Sequence, residues 1–388
     1  MYKALADLIR ISNVTGKDPT FVAGGGGNTS VKTGDGKFMY IKASCTALKD
    51  MDAERGWRRL RLGPVLSLIQ DKTLAKLDAS VREPQVVDRL LFACDDNVTS
   101  GARPSVESHL HACLDTCVIH LHPLVLAAYV SAKNGRTRLE RLFKDEIPPP
   151  LWVPYADPGF ILAKKIAGLV NKYQKQYGRK PAIMLLEKHG LFVTAGTADA
   201  ALRLVRKVIK TCRSALKPFK PHRTKSPAVQ QIEQASEVIQ RAVLDATGHD
   251  VPVRYIRTDE TIAAFMQRKD AQKLLATPAL NPDELVYANG SAMWLEDCDS
   301  KVISRKLKSQ IKRGQKSAAA FVVKDLGLFV AADEKISPVI ADITTGSLFV
   351  RMHAQKFGGI NPLNRRQQDF INNWEAEAFR RQQVNQTK

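Results

Sequence analysis

The 388-residue chain contains no run of about twenty apolar side chains, so no segment is expected to cross a bilayer as a helix. Its opening, Met1-Tyr2-Lys3-Ala4-Leu5-Ala6-Asp7, brings in an acid too early for the apolar centre of a secretory leader, and a cytoplasmic location is expected. Six cysteines form no Cys-x-x-Cys pair and no framework spacing, which points to reduced thiols rather than a disulfide scaffold. Also missing are the G-x-G-x-x-G spacing of a dinucleotide site and the Gly-Lys-Ser/Thr ending of a P-loop. Acids are scarce beside bases: 39 against 59, a net charge of +20. Such a field attracts anions. However, the bases are spread along the chain, crowd only at Lys217–Lys225, and accompany no helix-turn-helix, RRM or zinc-finger pattern. A solvated basic surface is expected, not a nucleic-acid groove.

What is present begins with a hydrophobic fraction of 44% beside 25% charged residues, ordinary for a folded protein and long enough here for two domains. A helix over Tyr2–Ser12 leads into Gly24-Gly25-Gly26-Gly27-Asn28-Thr29-Ser30. Consecutive glycines let backbone N–H groups approach a ligand closely, and Asn28 and Ser30 add side-chain donors. The turn signal Thr33-Gly34-Asp35-Gly36 predicts a hairpin into the strand Phe38–Lys42. After it comes the small hydroxyl-bearing turn Ala43-Ser44-Cys45-Thr46, suited to a phosphate.

Val118-Ile119-His120-Leu121-His122-Pro123 reads as an apolar strand ending in two imidazoles. Residues two apart on a strand share a face, so His120 and His122 can converge. Imidazole is the commonest side-chain metal ligand, and zinc is held in catalytic sites by three protein ligands with one position open. The candidate third ligand is His189, at a Gly-containing corner between two apolar runs in Leu185–Val193. A helix predicted over Ser105–Leu114, with Ser105 as its N-cap and Glu107 in its first turn, ends just before the histidine strand and can bring Glu107 back towards the metal. His109, His111, Cys113 and Cys117 form a competing ligand set, although two residues apart on a helix point away from each other.

Helices are expected over Leu66–Phe92, Leu124–Val130, Phe160–Tyr177 and Gly196–Ser214, a strand over Ala182–Leu186, and a rigid proline segment at Ile147–Pro150. The Pro/Lys stretch 217–227 reads as a linker between residues 1–216 and 228–388. The second part echoes the first. Lys324-Asp325-Leu326-Gly327-Leu328-Phe329-Val330 aligns with Lys188–Val193 when Leu326 is set against His189, and Glu284–Gly290 is expected to replace the histidine strand. This predicts a related α/β unit, a degenerate repeat without metal ligands. A last helix is expected over Asn364–Gln382.

Glycine-rich loop with Asn28, hydroxyl turn, Pro104-Ser105-Val106-Glu107, His120-x-His122 and then His189-Gly190, in that order, resembles the class II aldolase/adducin family, closest to its rhamnulose-phosphate aldolase-like group. The resemblance covers roughly residues 5–215. It implies a three-layer αβα fold around a largely antiparallel central sheet. It also implies zinc or another divalent ion on His120, His122 and His189, with Glu107 as catalytic acid/base. Gly27, Asn28, Ser30, Ser44, Thr46 and Ser105 would form the phosphate pocket. The implied activity is retro-aldol cleavage of a ketose 1-phosphate to dihydroxyacetone phosphate and an aldehyde, by a homotetramer. The alternatives are a metal-dependent epimerase or an adducin-like interaction module. Cys45 departs from the glycine many members carry, and Val106 from a second serine. Longer members add a short-chain dehydrogenase, for which no fingerprint is found here.

Overall fold

The computed structural model describes residues 2–22, 26–44, 46–96, 102–222 and 226–374. Gly24, Gly25, Cys45 and the final residues of the expected C-terminal helix lie outside them; its described part is the helix Arg365–Asn373. The chain divides into two compact units, one comprising the chain to Val130, Asn134–Ala215 and the chain from Asp369, the other Ser131–Lys133 and Leu216–Gln368.

The first unit is organised by a seven-stranded sheet. Its strands are β1 (Asn28–Lys32), β2 (Phe38–Lys42), β3 (Trp57–Arg61), β4 (Cys117–Leu121), β5 (Leu151–Val153), β6 (Ile183–Leu186) and β7 (Leu191–Ala195). They lie in the order β3-β2-β1-β4-β7-β6-β5, every neighbouring pair antiparallel except β5 with β6. The β1–β2 hairpin turns where Gly36 takes a φ of +69° and the Asp35 carboxylate accepts the Lys37 N–H.

Period-two alternation sends neighbouring side chains to opposite faces. On β1, Thr29 bonds Ser12 of the helix Lys3–Lys17 at 2.6 Å, while Ser30 bonds His111 on the other side. The helices Lys3–Lys17, Leu124–Val130 and Ala198–Ser214 cover the first face. Against the second pack Ser108–Ala112 and Phe160–Tyr177, whose Leu110, Leu162, Ala163 and Ile166 meet Val118, Met184 and Phe192. The result is a helix–sheet–helix sandwich around a largely antiparallel sheet, a mixed α/β fold. The helix expected over Leu66–Phe92 is interrupted: it forms as Leu62–Gln70 and Ala79–Ala93, because the Asp71 carboxylate takes the Thr73 and Leu74 N–H groups and turns the chain.

The second unit carries a four-stranded sheet of β8 (Val253–Ile256), β9 (Met293–Leu295), β10 (Ala320–Val323) and β11 (Gly327–Ala331), in the order β8-β11-β10-β9. Ile239, Ile303 and Leu307, on the helices Val229–Thr247 and Ser300–Lys312, pack with Phe321 and Phe329. One expectation fails here. Glu284–Gly290 is not a strand; Pro282–Tyr287 is a helix, begun by Asn281, whose side chain accepts the Glu284 N–H, and by Pro282 in its first turn. Its Glu284 carboxylate is buried against Arg351 at 2.7 Å.

Candidate metal centre

Three elements deliver the histidines to one corner of the first sheet. His120 is the penultimate residue of β4, His122 follows the strand, and His189 sits in the turn joining β6 to β7. That turn is tight because Lys188 adopts a left-handed φ of 56°, its N–H held by the Val130 carbonyl, while the His189 N–H donates to the Leu186 carbonyl. Nε2 of His120 lies 3.0 Å from Nε2 of His122 and 3.2 Å from Nε2 of His189, and the three ligand atoms all fall within 4.8 Å of one another.

The tautomer of His120 follows from its other nitrogen. Nδ1 lies 2.9 Å from the Leu191 carbonyl, which can only accept, so Nδ1 carries the proton and Nε2 presents its lone pair to the cluster. That lone pair can accept one hydrogen from one neighbour, yet two imidazole nitrogens crowd it. A tetrahedral cation with ligands at 2.0–2.1 Å would hold its nitrogens about 3.3–3.4 Å apart. The donor chemistry and the spacing therefore fit a divalent cation of the zinc type.

The ring of His120 is fixed from behind by Phe192, its cross-strand partner on β7, stacked at a centroid distance of 4.0 Å and 14° between planes. Two glycines allow close approach to the histidine strand. A Cβ on Gly190 would stand 2.4 Å from the Leu121 carbonyl oxygen and 2.6 Å from His122 Cδ2. A Cβ on Gly27, whose φ is +79°, would stand 2.6 Å from the His120 carbonyl oxygen. Gly27 is thus tied to the histidine strand by close backbone approach.

Glu107 reaches the cluster. It is the N-cap of the short helix Ser108–Ala112, a smaller helix than the one expected from Ser105. Its carboxylate lies 3.6 Å from His120 Nε2 and 3.9 Å from His189 Nε2, with its side chain only 9% exposed. Asn28 aims it: Asn28 stands opposite His120 in the β1–β4 register and donates from Nδ2 to Glu107 Oε2 at 2.6 Å. Asn28 Oδ1 is buried with no hydrogen-bond partner among the described residues.

The other expected site residues fall into two groups. The Ser44 hydroxyl donates to the Pro104 carbonyl at 3.1 Å, and its backbone N–H donates to the Arg103 carbonyl, so Ser44 lies beside the segment leading to Ser105. Thr46 turns its methyl towards Gly56, where a Cβ would stand 2.9 Å from it. Ser105, nearly buried, accepts the Glu107 N–H at 3.3 Å. Ser30 departs from expectation: it is fully buried and its hydroxyl is bonded to His111 Nδ1 at 2.8 Å, leaving no face open to a ligand. The competing ligand set does not assemble, since among the described residues only His120, His122 and His189 form a metal-competent group. His109 stacks on Phe160, and His111 stands edge-on to Phe192. Burial pushes His109 down to about 4 and His111 to about 3, and pushes the Cys113 and Cys117 thiols up to about 11. Sequence reasoning missed Phe192 and the Asn28–Glu107 bond. Phe192 was visible only through its place two residues after Gly190 on the strand that follows His189.

The family model described as Class II Aldolase and Adducin N-terminal domain matches residues 6–216, more than half of the chain. A protein of Bacillus subtilis (strain 168) named as an uncharacterized oxidoreductase, YuxG, is 31% identical over 217 residues. That match covers 54% of this chain and 29% of the relative, so the chain spans under a third of that protein's length. Among solved structures, the N-terminal class II aldolase domain of a conserved protein from Thermoplasma acidophilum aligns with 25% identity and a TM-score of 0.46, over 56% of this chain and 95% of that one. The L-fuculose-1-phosphate aldolase of Thermus thermophilus aligns with 16% identity and a TM-score of 0.34, over 54% of this chain and 92% of that one. With its three-histidine corner set in the matched segment, the chain belongs to the class II aldolase and adducin family.

Proposed function

We propose that the first unit is a metal-dependent aldolase acting on a ketose 1-phosphate, cleaving it to dihydroxyacetone phosphate and an aldehyde. The observation that carries this reading is the convergence of three imidazole nitrogens with the Glu107 carboxylate 3.6 Å away. His120, His122 and His189 would hold a divalent ion, zinc by ligand type, which supplies positive charge where the substrate's carbonyl oxygen becomes negative as the carbon–carbon bond breaks.

The protein's own groups do the rest. Glu107 moves the proton at the carbon that loses or gains the bond, and Asn28 Nδ2 keeps one carboxylate oxygen bonded so that the other faces the reacting carbon. The backbone near Gly27, with Asn28, Ser44, Thr46 and Ser105, is assigned to the substrate's phosphate, whose binding orients the reacting end. Ser30 is left out of that pocket because its hydroxyl is committed to His111. A homotetramer is part of the proposal by family likeness.

The test is Glu107→Gln. It should retain wild-type metal content by elemental analysis while cleavage, followed by a coupled assay for dihydroxyacetone phosphate, falls at least about 100-fold. Retained turnover would overturn the role given to Glu107. Trapping of a free three-carbon product separates cleavage from an epimerase that uses the same bond-breaking step.

A further inference from the structure

The second unit's sheet can be laid on half of the first unit's sheet strand by strand. β8-β11-β10-β9 follows β4-β7-β6-β5 in neighbour order and in direction, with one parallel pair at the same edge. The joining turns have equal length: Leu186-Glu187-Lys188-His189-Gly190 and Val323-Lys324-Asp325-Leu326-Gly327. Lys188 and Asp325 both take left-handed φ, 56° and 60°. The Glu187 N–H donates to Val153 on the parallel neighbour, and the Lys324 N–H to Leu295 on its own. His189 and Leu326 each donate backbone N–H three residues back, both at 3.2 Å. Trp152 and Trp294 hold the same register.

This register fixes what replaces the metal ligands. Phe192 faces His120 and Phe329 faces Tyr255, so Tyr255 stands where His120 does and Arg257 where His122 does, with Leu326 in place of His189. Gly327 matches Gly190, and a Cβ there would meet Thr258 Oγ1 at 2.7 Å and Tyr255 Cε2 at 2.9 Å. Leu326 offers no ligand atom, and the guanidinium of Arg257 repels a cation. Yet the corner is not filled. A cleft of about 840 Å³ opens over it, walled by Phe219, Lys220, Tyr255, Arg257, Glu260 and Asp325.

Its wall is built rather than loose. The Phe219 ring lies under Lys356 Nζ at 3.8 Å and beside His353 at 4.6 Å, and the His222 backbone is bonded in both directions by Gln267. Among the described residues Lys220 and Arg257 make no ion pair or hydrogen bond, while Asp259 is spent on capping the helix Glu260–Met266. Two uncommitted cations suit one anionic group. Glu260 and Asp325 can only accept, which suits hydroxyl donors, and Tyr255 and Phe219 line the same cleft with apolar carbon.

We infer that the second unit repeats the metal-binding half of the first sheet, and that its corner is a metal-free binding site for a small polyol bearing one phosphate or carboxylate. The inference does not rest on the aldolase reading. It is tested on the full chain, kept in chelator, by hydrogen exchange read by mass spectrometry with glycerol 1-phosphate, glycerate or glycerol. Either anion, or both, should slow exchange in peptides covering 216–222 and 253–266, by roughly tenfold at a concentration ten times Kd. Glycerol should not. Arg257→Ser should abolish the slowing, and His120→Ala should leave it intact. No slowing by either anion, equal slowing by glycerol, slowing confined to the first unit, or slowing unchanged in Arg257→Ser would each overturn the inference.

Discussion

A methyl group on Gly190 would collide with the Leu121 carbonyl and the His122 ring, although the backbone there is one any residue can adopt. Gly190→Ala should therefore fold yet displace His122 and weaken cation binding, by roughly 10–100-fold on the scale of other changes that disturb ligand orientation. Gly196→Ala, with open space at its Cβ, is the control. Competition with a chromogenic chelator, alongside unchanged far-ultraviolet circular dichroism, checks this. At this scale the histidines and Glu107 were legible because each belongs to a short motif with its own chemistry. Ser30 was misjudged for the opposite reason: a serine beside a glycine loop looks like a ligand donor, and nothing local announces that His111, 81 residues later, will take its hydroxyl.

The helix Ser108–Ala112 buries His109 and His111 completely, and burial holds both below their ordinary range, at about 4 and about 3. The sign follows from proton counts. Between pH 6.5 and about 4 the unfolded chain protonates these rings and the folded chain does not, so their contribution to stability is intact above 6.5 and is lost as the pH falls. Each costs roughly 1.4 kcal/mol per pH unit inside that window. Chelator-treated protein should lose thermal stability steadily from pH 6.5 to 4.5, and His109→Gln with His111→Gln should flatten the slope; a parallel slope in the variant would refute the assignment. Elements were read best where punctuation was strong: the β1–β2 hairpin, the Phe160–Tyr177 helix and the His189 corner. Pro282–Tyr287 was misread as a strand on its apolar Leu285 and Val286, against the helix-start signal of Asn281 followed by proline. The strand that holds the histidine strand's place, β8, is only four residues long, is interrupted by the charge of Arg254 and carries no histidine, so register rather than motif reveals it.

At the scale of the whole molecule, the second unit carries a buried ion pair, with Arg351 fully buried and Glu284 bonded to it at 2.7 Å; Ser347, Ser291 and the carbonyls of Leu274, Thr277 and Pro278 satisfy the remaining donors. Removing one partner strands the other's charge, so Arg351→Ala should destabilise this unit by about 3–5 kcal/mol. Urea titration followed by exchange of peptides from β9 to β11 measures it. In the first unit a single phenyl ring, Phe192, lies flat on His120 and edge-on to His111, touching the metal-competent corner with one side and the apolar interior with the other. Evolutionary drift in the packing beneath that ring cannot be silent at the histidine corner it supports: changes that merely tighten or loosen the interior will tilt an imidazole, so thermal adaptation and cation affinity are inherited together.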